Sequence, residues 1–139
     1  MREVRNEADF ARMLEEPHVM LYIFVDWSIY AAKSGLRIVG EVEAHFTATA
    51  NGSRVSFWLA DLSDSNSPAF FTADWLRQEQ ERTELRLFPA IGTGNGSVVW
   101  INHRRVVDFA LSAAHLKRSG VIEKTKSLFS AGAHYGPED

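Results

Sequence analysis

Ser28 and Tyr30, two residues apart in VDWSIYAAKS (residues 25–34), are the side chains whose types and placement come nearest to chemistry. A hydroxyl at a helix start meets free backbone N–H groups and the positive end of the helix dipole, so it could hold an anion or act as a nucleophile. The plainer role for Ser28 is an N-cap, worth about 1 kcal/mol, since no partner base stands at a defined spacing. The chain contains no cysteine. Disulfide exchange, thiolate catalysis and Cys-ligated zinc all need sulfur at the reacting atom and are therefore excluded.

Other chemistry-bearing types give weaker signals. His18, His45, His103, His115 and His134 fall in different elements with no HxxH or HExxH spacing, so no metal site is expected. Asp61 and Asp64 could pair for hydrolysis, but they stand where a strand turns. The GTGNG loop (residues 92–96) precedes a strand and lacks the Lys-Ser/Thr of a phosphate loop, which favours a plain mobile turn. Arg104 and Arg105 could meet an acidic partner, although a solvated hairpin tip explains them. Phe70, Phe71 and Trp75 cannot all point along one narrow helical stripe. Core packing accounts for part of that set, and an apolar partner surface for the rest.

These residues need elements to hold them. Asn6, with Asp9 three residues on, caps a short helix whose stripe is Phe10, Met13 and Leu14 and which Pro17 ends. Val19 to Val25 is a nearly continuous apolar run, as in a strand buried on both faces. Ala32, Leu36, Val39, Val42 and Phe46 mark a long helix capped by Ser28, weakened at Gly35 and Gly40, and ending near Asn51-Gly52. Val55 to Asp61 is a second strand, parallel to the first. A helix follows with Ser67 as cap and Pro68 in its first turn, and its polar second half, QEQERTE, is expected to project into solvent. Ser97 to Ile101 and Val106 to Ala110 form a hairpin around NHRR. Ser112 opens a C-terminal helix with a break at Ser119-Gly120.

The order helix, strand, long helix, parallel strand, helix, hairpin, helix resembles the thioredoxin fold. Trp27 after VMLYIFVD is similar to the Trp before that family's CxxC motif. Asp61, closing VSFWLAD, is similar to the Asp ending its next strand, and SVVWINHRRVVDF to its closing hairpin. The resemblance implies an α/β domain over residues 1–131, a central mixed sheet of about four strands flanked by helices, and an extended segment before the hairpin. Residues 132–139 would form a tail. It also implies a degenerate site. Trp27, Ser28, Ile29, Tyr30 and Ala31 stand where active members have WCxxC, so Ser28 replaces the attacking cysteine and Ala31 the resolving one. Tyr22 takes the place of the family's buried carboxylate. Gly96 aligns with its cis-proline, unless GTGNG is an insertion and Pro89 fills that role.

The expected function is that of a redox-inactive, non-enzymatic module of adaptor or chaperone type. It would bind a protein or peptide in a groove beside Trp27 to Tyr30, walled by Gly94, Asn95, Gly96 and Ser97. The alternative is an enzyme or carrier using Ser28 or Tyr30 on an anionic or thiol-containing ligand, similar to glutathione transferases, whose further helical domain this chain is too short to hold. A homodimer through the Phe70–Trp75 helix is a third reading, beside a monomer. With 15 basic and 18 acidic residues interspersed, a net charge of -3 and no long apolar run, neither nucleic acid nor membrane is expected. No cofactor is implied, and a cytoplasmic location is expected.

Overall fold

The computed structural model of the chain describes residues 1–48, 55–63, 71–83, 85 and 94–130. The proposed cap Ser67, the helix-opening Pro68, Phe70, Pro89 and the tail at 132–139 lie outside the described residues. The elements in chain order are β1 (Arg2–Glu3), α1 (Glu7–Glu15), β2 (His18–Phe24), a π-helical turn (Tyr30–Gly35), α2 (Leu36–Ala48), β3 (Val55–Asp61), α3 (Phe71–Thr83), β4 (Val98–Asn102), β5 (Arg105–Ala110) and α4 (Ala113–Thr125). A second π-helical turn, Lys126–Ser130, continues α4.

The sheet order is β1-β3-β2-β4-β5. β2 lies at its centre, parallel to β3 and antiparallel to β4, which explains its uninterrupted apolar sequence. Side chains alternate along it. Val19, Leu21 and Ile23 face a core shared with Met13, Trp58 and Leu76. Met20 and Tyr22 face the opposite core, with Val39, Val42, Trp100 and Val121. Each fully buried aliphatic of this kind contributes about 1.5–3 kcal/mol.

Asn6 accepts a hydrogen bond from the Asp9 backbone N–H at 2.8 Å, and Ser112 accepts one from His115 N–H at 3.3 Å, so both expected caps form. Three expectations change. The sheet has five strands rather than about four, because Arg2 and Glu3 pair in parallel with Trp58 and Leu59. The break in α4 falls at Lys117, whose φ of 70° and ψ of 164° are far from helical, rather than at Ser119-Gly120. Gly120 stays helical, and the Leu116 side chain lies against it: a Cβ there would lie 2.9 Å from Leu116 Cγ.

The third change concerns the polar half of α3. Glu79 does not project into solvent; it is 3% exposed. Its carboxylate accepts the Val106 backbone N–H at 2.9 Å and pairs with Arg82 at 2.9 Å and Arg105 at 3.1 Å. The physical reason lies in β5, the edge strand of the sheet, whose outward backbone N–H groups have no ladder partner; the carboxylate supplies one to Val106. Arg105, expected at a solvated tip, is thereby paired inside the chain. Burial raises the Glu79 carboxyl, but the hydrogen bonds from Arg82 and Val106 and the guanidinium charges outweigh it and hold the group below its ordinary value.

Candidate functional site

Where β2 ends, the chain is fastened to the end of β3. Leu62 N–H donates to the Phe24 carbonyl at 2.8 Å, Asp26 N–H to Ser63 Oγ at 2.9 Å, and Trp27 Nε1 to the Ser63 carbonyl at 2.9 Å. Asp61 orients Ser63 in turn, accepting its backbone N–H at 2.9 Å and also its hydroxyl. The Trp27 ring is thus anchored at its nitrogen while remaining 58% exposed. Gly94 packs beneath it with a φ of +82°, and a Cβ at that position would lie 2.7 Å from the ring. Both the backbone conformation and the close approach require glycine there.

Ser28 stands just before the helix, its carbonyl accepting the Ala32 N–H at 2.7 Å, but its side chain does not cap it. Ile29 holds the cap position in helical dihedrals (φ -63°, ψ -31°), and no side chain caps the turn. The Ser28 hydroxyl instead donates to the Gly94 carbonyl at 2.6 Å, which draws it away from the helix N–H groups and toward the neighbouring loop. A hydroxyl whose proton is committed to a carbonyl is not held by a general base, and among the described residues its hydrogen bond goes to no base.

Beneath this junction, the Tyr22 side chain and the Ala31 backbone come together. Tyr22, fully buried, donates its phenolic hydroxyl to the Ala31 carbonyl. Burial raises its pKa well above the ordinary phenol value, so it stays a neutral donor. Two glycines make room for the hydroxyl. A Cβ at Gly35 would collide with Tyr22 Oη and lie 2.8 Å from the Tyr30 carbonyl; one at Gly96 would lie 2.9 Å from Tyr22 Oη and 3.0 Å from the Tyr30 carbonyl. The wide π-helical turn and its closing Gly35 thus accommodate a large side chain in the layer under the site.

Residues 94–97, the described part of the loop before β4, are packed against the fold. Gly94, Gly96 and Ser97 are buried, and Asn95 is half-buried. The Ser97 carbonyl accepts Ile23 N–H at 2.9 Å, Ser97 Oγ donates to the Leu111 carbonyl at 2.6 Å, and the Gly96 carbonyl accepts Ala113 N–H at 2.9 Å. This loop therefore joins the central strand to the start of α4. A concave surface of about 500 Å³ opens between them, lined by Tyr30, Asn95, Leu111, Ser112, Ala114 and His115. Sequence reasoning identified Tyr30 and Asn95 and missed the other four. The available signal was Leu111, an apolar residue between the end of a strand and the cap Ser112.

Ile29 and Tyr30 are 61% and 63% exposed, beside Trp27. Ala31, by contrast, is fully buried. The aromatic set on α3 stands elsewhere: Trp75 packs edge-on against Phe10 with ring centroids 5.4 Å apart, partly buried against the core. Phe70 lies outside the described residues, as does the Phe71 side chain. Among the described residues, no group of three His, Asp or Glu side chains could hold a metal ion, and no helix is long and apolar enough to cross a membrane.

No family model matches the chain, and no curated protein matches it by sequence. Solved structures do. Thioredoxin from Fasciola hepatica superposes with a TM-score of 0.54 over 91% of this chain and 98% of that one, at 16% identity. Oxidised thioredoxin from Plasmodium falciparum gives 0.55 over 89% and 96%, at 15% identity. Mitochondrial thioredoxin 3 from Saccharomyces cerevisiae gives 0.56 over 91% and 94%, at 8% identity. At such identities the likeness is one of architecture, and it agrees with the sheet order, the Trp27 turn and the closing hairpin: the chain has a thioredoxin-like fold, carried by a sequence without cysteine.

Proposed function

We propose that the protein is a binding module that engages a protein or peptide through the groove beside Trp27, Ile29 and Tyr30, and that it performs no thiol-disulfide chemistry. The observation that carries this reading is the exposure of three large apolar side chains in a row, at 58%, 61% and 63%, on a turn that is otherwise rigidly fastened. Exposing such side chains contributes nothing to the fold, whereas apolar and aromatic anchors around a concavity are what a partner would bury. The Trp27 ring is pre-positioned by the Ser63 carbonyl and by Gly94, so little side-chain freedom remains to be lost on binding.

Two features weigh against catalysis at the same place. Ser28 spends its hydroxyl proton on Gly94, and Tyr22 fills the layer where a proton acceptor would sit. The test has two arms. In an insulin-disulfide reduction assay the pure protein is expected to show no turnover, and any turnover overturns the redox part of the proposal. Proteins captured from the native host by the wild-type protein should be lost together when Trp27 and Tyr30 are both replaced by Ala; capture unchanged by that double substitution overturns the groove.

A further inference from the structure

The charge around the groove points to the kind of partner it takes. Acidic residues outnumber basic ones in this chain, 18 to 15, yet residues 27–40 and 109–122, which carry the two walls of the groove, contain no Asp or Glu. Those same segments hold Lys33, Arg37, His115, Lys117 and Arg118, of which Arg37 is paired with Glu41 at 3.1 Å. The Tyr30–Gly35 turn and α4 pack against each other; Lys33 belongs to the turn that carries Tyr30, and Lys117 and Arg118 to the helix that carries Ala114 and His115. Eight Arg and Lys side chains of the described residues have a carboxylate within 4 Å. Lys33, Lys117 and Arg118 have none among the described residues, and Lys117 and Arg118 are exposed.

Unpaired basic residues on the two elements that line the groove, in a net-negative chain with Ile29, Tyr30 and Leu111 exposed, are complementary to one chemistry. We infer that the groove takes an acidic peptide segment with an aromatic or aliphatic anchor, the apolar side chain seated against Tyr30 and Leu111 and its flanking carboxylates facing Lys33, Lys117 and Arg118. A peptide fits better than a lipid surface because the site is concave and carries hydrogen-bonding groups, Asn95, Ser112 and His115, along its floor and wall. The kink at Lys117 turns the chain out of its helical path beside His115, so the two basic residues follow the groove lining directly. This inference rests on the groove being a binding surface and adds the charge of what it binds.

The experiment selects binders from a random displayed library of peptides about twelve residues long, using the full chain as bait. The selected peptides are expected to combine Asp and Glu with a Leu, Phe or Trp anchor and to shift the resonances of Ile29, Tyr30 and Leu111. The double charge reversal Lys117→Glu with Arg118→Glu should weaken them at least about tenfold, and rising salt should weaken them further. Lys33→Glu, on the other element, supplies an independent variant, and unchanged circular dichroism certifies that each is folded. Groove-directed peptides without acidic residues, or acidic peptides indifferent to both reversals, overturn the charge inference and leave the groove itself standing. Binders that all map elsewhere, or no binders at all, overturn both. Vesicles of phosphatidylcholine with about 30% phosphatidylserine that capture the protein through the same basic residues, when no peptide does, assign those residues to a membrane and overturn the peptide.

Discussion

Two regions of the molecule invert the usual hydropathy rule, in opposite senses. At the junction after β2, Trp27, Ile29 and Tyr30 are apolar and exposed; at the far end of the edge strand β5, Glu79 is charged and 3% exposed. The buried carboxylate is explained within the chain, since Val106 N–H and two guanidinium groups satisfy it. The exposed apolar row has no such internal account. Trp27 has a hydrogen bond for its nitrogen and Gly94 under its ring yet is 58% exposed, and Ile29 and Tyr30 stand open beside the groove. A violation satisfied inside the fold reads as structure, and one left unsatisfied reads as a surface awaiting something else.

This contrast is tested most severely at Glu79. Replacing Glu79 by Ala strands the buried Val106 N–H and releases both arginines, and is expected to cost about 2–3 kcal/mol in chemical denaturation. Glu79→Gln keeps an acceptor for one donor and should cost less. The pH sign follows from the depressed carboxyl pKa. The folded state binds its proton less readily than the unfolded chain, whose carboxyl titrates near about 4.3. The contribution is therefore complete above that value and is lost as pH falls through the folded pKa. A wild-type acid limb that persists unchanged in Glu79→Gln would show that the pair is not its source.

The next effect lies under the site. Gly35→Ala drives a methyl group into Tyr22 Oη and toward the Tyr30 carbonyl, an overpacking expected to cost about 2–3 kcal/mol. Tyr22→Phe alone should cost about 1 kcal/mol, for the hydrogen bond to Ala31. Combined, the two should cost less than their sum, because Phe removes the atom that the new methyl meets. Strict additivity in that cycle would mean that Gly35 is required for another reason than room for the hydroxyl.

How far the sequence speaks for itself follows from the same physics. β2 and β3 were legible because central strands must be apolar on both faces, and α1 and α4 because Asn6 and Ser112 cap them by local geometry. β1 was not legible: two exposed residues, Arg2 and Glu3, pair only because β3 offers an edge. Nor was Glu79, since apolar periodicity cannot register a carboxylate that is buried by its partners. The Trp27–Ala31 junction was readable as a turn from strand to helix, yet the groove beside it was only half visible. Leu111, Ser112, Ala114 and His115 reach it from a later element, and spacing along the chain carries no trace of that meeting. The role of Ser28 was misread because a serine before a helix looks like a cap, while the carbonyl that captures it is 66 residues away.

Ser28→Ala removes the hydrogen bond to Gly94 and leaves that carbonyl partly shielded from water, so a loss of about 1 kcal/mol is expected in denaturant melts. Because Gly94 also underlies the Trp27 ring, the loss should come with a change in tryptophan fluorescence. A stability loss without that change would separate the hydroxyl from the Trp27 turn. Any peptide bound in the groove should keep its affinity to within this small structural effect, whereas a ligand activated by Ser28 would lose it outright.

The smallest stability effect is the most informative about the exposed row. Tyr30 is 63% exposed and contributes its backbone carbonyl, not its ring, to the contacts around Gly35 and Gly96. Tyr30→Ala is therefore expected to leave stability within about 0.5 kcal/mol of wild type. Its partner affinity, in contrast, should fall by a factor of ten or more, about 1.4 kcal/mol or above, as expected for an aromatic anchor at a contact centre. The opposite pattern, in which Tyr30→Ala unfolds the protein while binding per folded molecule is unchanged, would place Tyr30 in the same class as Glu79 and dissolve the contrast between the two regions.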